Sequence, residues 1–220
     1  MLPASYKLRL RFFAMALCMT TLLLLGVDPQ QGRTQDSTQA SHAPVYLPPG
    51  NPEASILTSF LASLGEPSLL EVAKDSGVLS YRLSYFSPMP TRAIVVRLVV
   101  NSDGSGQISS ATSSGKLAEF KRAKDTVSAA DVKQLLQLVE QVEFWSMPST
   151  EQKNNRSRNM YVLDGSWCMI EGARNGSFHY ALRRSLRPGP FTQLARSLAK
   201  DLAKIDNSVI SIPQYTTAGQ

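Results

Sequence analysis

Apolar residues change rhythm several times along this chain, and each change marks an element. Ile56, Leu57, Phe60, Leu61 and Leu64 recur at three- and four-residue spacing, which predicts one buried face of an α-helix closing at Gly65. Asn51-Pro52-Glu53 supplies the start: a capping side chain, a proline whose missing N–H is not needed in the first turn, and an acid at the positive end of the helix dipole. Residues 66–74, with Leu69, Leu70 and Val72, predict a second short helix that ends before Gly77.

Past Gly77 the period falls to two. Tyr81, Leu83 and Tyr85 alternate with Arg82 and Ser84, predicting a half-buried strand over 78–86 that Pro88 and Pro90 break. Residues 93–101 carry Ile94, Val96, Leu98 and Val100 on one parity and Val95 and Val99 on the other, so this strand is central and at least partly covered on both faces. The turn Asn101-Ser102-Asp103-Gly104-Ser105-Gly106 leads into a polar return strand over 107–112. No helix follows its glycines to receive an anion, so the loop reads as a turn and not as a phosphate cradle. Lys116, Lys121, Arg122 and Lys124 then surround Phe120, but Glu119 and Asp125 dilute the charge. This stretch reads as a solvated loop or an edge strand, not as a nucleic-acid contact.

Ser128-Ala129-Ala130-Asp131 approximates a capping box, and Val132, Leu135, Leu136, Leu138, Val139 and Val142 line the helix it opens, which ends near Phe144-Trp145 before Pro148. Residues 151–159 are polar and predict a surface loop, with a short strand at 161–163. Residues 166–173 and 178–184 flank Asn175-Gly176, the strongest short-range signal for a type I′ hairpin. A two-residue turn sets Glu171 opposite Tyr180 and Met169 opposite Leu182. Trp167, Met169, Phe178, Tyr180 and Leu182 then share a face, assigned to the core, while Cys168, Ile170 and His179 point the other way. Pro190 opens the last helix, with Phe191, Leu194, Leu198 and Leu202 along one side.

The N-terminus departs from all of these rhythms. Lys7, Arg9 and Arg11 precede a continuous apolar run from Phe12 to Leu25, the charged lead and short hydrophobic core of an export signal. The run is shorter than the ~20 residues usual for a spanning helix. No Ala-x-Ala follows Leu25, so an uncleaved anchor is the second reading of residues 1–27. Residues 28–50, rich in Gln, Ser, Thr and Pro, read as a disordered linker, 51–206 as one globular domain and 207–220 as a tail. Either way the chain is exported, to the periplasm or beyond, or held at the inner membrane by residues 12–27.

Composition matters mainly through that signal. The formal net charge of the whole chain is +6; without residues 1–27 it falls to +3, and Cys168 becomes the one remaining cysteine. A mildly basic exported domain without an internal disulfide does not present as a nucleic-acid binder. Cys168, between Trp167 and Met169, reads as a buried small hydrophobe.

Only Glu171 and His179 suggest acid–base chemistry, and Cys168 beside them sketches a nucleophile with its base. With His42 in the linker there is no second ligand cluster for zinc, and neither metal nor cofactor is expected. A structural role for Glu171, paired to a Tyr or Arg at the sheet edge, is the favoured reading. Arg183, Arg184 and Arg187 give the segment after the hairpin a positive character and are the leading binding candidates.

Trp167, Glu171-Gly172, Gly176 and Phe178-His179, with the Asp103-Gly104-Ser105-Gly106 turn and the Phe144-Trp145 helix end, carry a resemblance. In these motifs the chain resembles a group of uncharacterised bacterial proteins, often exported, with the same order of strand, helix and hairpin, over about residues 81–205. Such proteins tend to follow the His strand with Arg-Trp-Ser-Pro, where this chain has Arg184-Ser185-Leu186-Arg187-Pro188. The resemblance implies fold and compartment and brings no activity with it.

The expectation is an α+β domain in which an antiparallel sheet is covered on one face by the Ser128 and Pro190 helices. In function it is a non-catalytic cell-envelope module that binds another protein or an anionic envelope component. It touches the membrane only if the N-terminal segment is retained. The competing readings are a periplasmic hydrolase using Glu171 and His179, and an inhibitor or immunity partner of a toxin.

Overall fold

The computed structural model describes residues 44–50, 54–88, 91–114, 119–151, 166–184, 186–206, 210 and 212. All of these belong to one compact unit, Ala43–Gln220. The stretch expected to act as an export signal, most of the expected linker, the strand expected at 161–163 and most of the expected tail lie outside the described residues. Among the described residues no helix is long and apolar enough to cross a membrane.

The protein is α+β, with a six-stranded antiparallel sheet and four helices. Helices α1 (Ala54–Ser63) and α2 (Leu69–Val72) come first, and Ser68 caps α2 by accepting the Glu71 N–H. Strands β1 (Leu79–Pro88), β2 (Thr91–Val100), β3 (Gly106–Ser114) and β4 (Lys121–Val127) form a meander. Lys121, Arg122 and Lys124 are thus on an edge strand, one of the two readings the sequence allows for this stretch. Helix α3 (Ala129–Gln141) follows, with a 3₁₀ turn at Phe144–Ser146, the hairpin β5 (Trp167–Arg174) and β6 (Ser177–Arg183), and α4 (Pro190–Arg196), whose last turns widen into π-helix over Ser197–Leu202. The strand order is β4-β3-β2-β1-β5-β6.

Period-two alternation divides the side chains between two layers. On one face Tyr81, Leu83, Ile94, Val96, Leu98, Cys168, Ile170 and Ala181 meet α3 and α4 through Val132, Leu135, Val139, Leu194 and Leu198. These are the Ser128 and Pro190 helices, packed on one face as their apolar stripes require. Each fully buried aliphatic side chain there is worth roughly 1.5–3 kcal/mol of hydrophobic stabilisation.

The opposite face is also covered. Leu57, Leu61 and Leu64 of α1, together with Tyr46 and Leu47, bury Val95, Ala111, Met169 and Leu182. The hairpin face carrying Trp167, Met169, Phe178, Tyr180 and Leu182 is therefore core, as the alternation suggests, but so is the face carrying Cys168 and Ile170. Both parities of β5 are buried because it sits between β1 and β6 with a layer on either side.

Two segments assigned to linker and tail contribute to these layers. Tyr46 and Leu47 are buried between Pro44 and Pro48-Pro49, where two apolar side chains outweigh a polar surrounding composition. Ile210 and Ile212, beyond the boundary expected at residue 206, are buried against the α3–α4 layer.

Candidate functional site

The hairpin register decides what Glu171 and His179 can do. Asn175 and Gly176 both have positive φ, 46° and 78°, as a type I′ turn requires, and they set Glu171 opposite Tyr180 and Gly172 opposite His179. Adjacent positions on a strand face opposite ways, so Glu171 lies in the α1 layer and His179 in the α3–α4 layer. The two side chains do not converge, and no acid–base couple can be built from them.

Glu171 instead belongs to a buried ion pair. Arg82 lies directly across from it on β1, and its Nε and Nη2 donate to the two carboxylate oxygens at 2.7 Å each. Both side chains are 0% exposed. The third nitrogen, Nη1, donates to the Pro67 carbonyl at 2.6 Å and stands 3.8 Å from Glu66. Arg97, opposite Arg82 on β2, donates from Nε to the same Glu66 carboxylate at 2.9 Å. The Tyr46 ring closes over the Arg82 guanidinium at 5.6 Å, and its hydroxyl donates to the Glu66 carbonyl. The bidentate fork engages both carboxylate oxygens and fixes the side chain in a layer where neither partner is exposed to solvent. The network ties Tyr46, the 66–67 connection, β1, β2 and β5 together.

His179 packs instead into an aromatic cluster. Its ring lies 5.0 Å from Phe144 and 6.2 Å from Trp145, and Phe144 meets Tyr81 edge-on at 6.1 Å. Gly172 makes the space: a Cβ there would lie 2.8 Å from Phe144 and 3.1 Å from Trp145. His179 Nε2 is buried without a hydrogen-bond partner. Burial lowers its pKa from the usual value, with the Met147 backbone acting against that and the Arg183 charge adding to it. The imidazole is held neutral. Burial likewise raises the Cys168 thiol, which has Arg183 across from it on β6 and sits at the floor of the α3–α4 layer. A thiol so held offers no thiolate for attack. Among the described residues no cluster of His, Cys, Asp and Glu could hold a metal ion.

The motif residues of the hairpin and its surroundings thus have packing roles. Glu171 anchors Arg82, Gly172 admits Phe144 and Trp145, Gly176 turns the hairpin, His179 closes the aromatic cluster, and Trp167 stacks on Phe86 at 4.9 Å.

The arginines are divided. Arg183 is half-buried: its Nη1 donates to the Pro148 carbonyl at 3.0 Å and its guanidinium lies 5.2 Å over the Phe191 ring. Burial lowers its pKa from the usual arginine value, and Glu151 acts against that shift. Arg187 is exposed, and its carbonyl accepts from Thr192 at 2.5 Å, which fixes the turn into α4. Arg183 and Arg187 line one open groove of about 400 Å³ with Glu143, Glu151, Met147 and Phe191. Arg184 is exposed and does not line it.

No family model matches the chain, and no curated protein matches it.

Sequence reasoning overlooked Arg82 and Arg97 as members of the principal polar cluster. A signal was present: a charge inside a strand that is otherwise buried demands a partner, and Arg97 interrupts the most apolar strand of the chain.

Proposed function

We propose that the protein is an exported, non-catalytic binding module of the cell envelope that engages a protein partner through the groove at Arg183 and Arg187. The observation that carries the reading is the meeting of these two arginines with Glu143, Glu151, Met147 and Phe191 in one groove. Two cations, two carboxylates and exposed edges of apolar side chains suit a polypeptide of mixed character better than a uniformly anionic polymer. Arg183 is held in place by Pro148 and Phe191, so it offers a pre-oriented fork, while Arg187 stands at the rim. Export rests on the Lys7, Arg9 and Arg11 lead and the apolar run behind it. A toxin inhibitor or immunity protein is one form such a module takes.

The engagement of Glu171 by Arg82, and its separation from His179, argues against the hydrolase reading. The test is in-cell cross-linking of the tagged full-length protein, followed by identification of the adduct and by sizing of the mature N-terminus. Arg187→Glu, an exposed change, should remove the adduct seen with the wild type while leaving the protein folded. An adduct of the same identity and yield in that variant overturns the proposal.

A further inference from the structure

A second groove, on the other side of the sheet, has different chemistry. The strand registers place Lys124 of β4, Ser109 of β3, Arg97 of β2, Arg82 of β1 and Glu171 of β5 in one row across the α1 face. The charges along this row are matched at one end only. Arg82 has Glu171, and Arg97 has Glu66 on its Nε. Lys124, at the far end, is exposed and has no hydrogen-bond or ion-pair partner among the described residues. Arg122, two residues before it and on the same face, donates from Nη1 to the neutral Leu64 carbonyl at 3.1 Å. Among the described residues no carboxylate forms an ion pair with either charge.

Helix α1 does not extend over this end of the sheet. An open groove of about 390 Å³ remains, lined by Arg97, Gln107, Ser109, Lys124, Thr126 and half-buried Val99 among others. Asp125 also borders it, but in register it faces away with Ile108, and its Oδ1 accepts the Thr126 N–H. The groove therefore presents two cationic groups, two hydroxyls and a side-chain amide. Glu66 engages Arg97 through Nε alone, and the guanidinium carries further N–H donors on its two Nη atoms.

We propose that this groove binds an oxyanion of the phosphoester class, with Lys124 and Arg97 supplying the charge and Thr126 and Gln107 the neutral hydrogen bonds, while the Ser109 hydroxyl donates to the Arg97 carbonyl at 3.5 Å. Its volume exceeds that of inorganic phosphate and leaves room for a substituent, so a lipid headgroup phosphate and a free phosphate monoester share the chemistry that fits. The site is separate from the Arg183–Arg187 groove, and either reading can fail without the other.

The test is isothermal titration of the purified full chain with inorganic phosphate at low ionic strength. Lys124→Gln should weaken binding by tenfold or more. Lys121→Gln removes the same charge from the same exposed strand on its opposite face, and should leave binding within twofold of wild type. Absence of binding in the wild type overturns the site, as does equal weakening by the two variants, which would mean general attraction to a basic edge. Sedimentation with phosphatidylglycerol vesicles then identifies the source. Loss of co-sedimentation in Lys124→Gln, with phosphatidylcholine vesicles binding neither protein, supports the site with a headgroup as ligand. Unchanged co-sedimentation alongside Lys124-dependent phosphate binding supports it with a free phosphoester.

Discussion

Arg82 and Glu171 meet side by side across β1 and β5, joined by two hydrogen bonds of 2.7 Å with neither side chain exposed to solvent. The carboxylate that looked chemical in the sequence is the counter-charge that lets an arginine sit inside the sheet layer. Removing one partner strands the other: Glu171→Ala should cost about 3–5 kcal/mol, the usual penalty for an uncompensated buried charge. Replacing both, as Arg82→Met with Glu171→Met, removes charge and partner together and should recover most of that loss. Urea midpoints for the three proteins check the pair. A double variant no more stable than the single one would show that the guanidinium is needed for Pro67 and Glu66 rather than for Glu171.

Gly172 is required by sterics. A Cβ at this position would press on the Phe144 ring at 2.8 Å, within a layer whose other contacts are already tight. Gly172→Ala should destabilise by about 1–3 kcal/mol, the range for overpacking a filled core. Thermal unfolding of the variant reads it directly. A melting temperature equal to wild type would mean that the Phe144–Trp145 turn moves aside without cost.

What was legible in the sequence and what was not follow from the range of the forces involved. The type I′ hairpin, the Ser128 and Pro190 helices and the strand parities depend on neighbours within a few residues, and the chain carries their signals openly. The parity rule even separates Glu171 from His179 before any coordinates are considered. The two apolar parities of residues 93–101 showed that both faces are covered there, but not that α1 is the cover, because its apolar stripe does not say which side of the sheet it meets. The Arg82–Glu171 pair joins positions 89 residues apart, and its sequence trace is only a charge where a strand should be apolar. Tyr46, Leu47, Ile210 and Ile212 were lost in polar segments whose average composition conceals two well-placed side chains. At the proposed binding sites, the local cluster Arg183–Arg187 was visible, whereas Arg97 and Lys124 come together only through register.

The start of α3 offers a local test. Ser128 Oγ accepts the Asp131 N–H at 3.2 Å and donates to the Asp131 carboxylate at 2.7 Å, so one hydroxyl satisfies a free amide and orients an acid in the first turn. Ser128→Ala should cost about 1 kcal/mol, as for other N-cap deletions. Ser128→Asn, which keeps a capping acceptor, should recover most of it. Urea denaturation of the two variants compares cap against mere loss of a side chain; equal losses would assign the effect to the serine itself rather than to its cap.

His179 gives the protein a defined acid sensitivity. Its half-buried imidazole packs against Phe144 and Trp145, and desolvation lowers its pKa from 6.5. The unfolded chain therefore binds the proton more readily than the folded one, and stability rises with pH through the interval between the folded and unfolded values. The contribution is fully present above pH 6.5 and is lost progressively as the pH falls towards the folded-state value. The chain has two histidines, and the other, His42, lies outside the described residues, so the His179 variant is what assigns the slope. Urea midpoints measured from pH 8 to 5.5, above the main carboxylate range, should fall on the acid side for the wild type. His179→Gln, which cannot titrate, should flatten that fall even if its stability at pH 8 is lower. An unchanged slope in the variant would mean that the ring is freely protonated in the folded protein, and that the aromatic cluster opens to water more readily than its packing indicates.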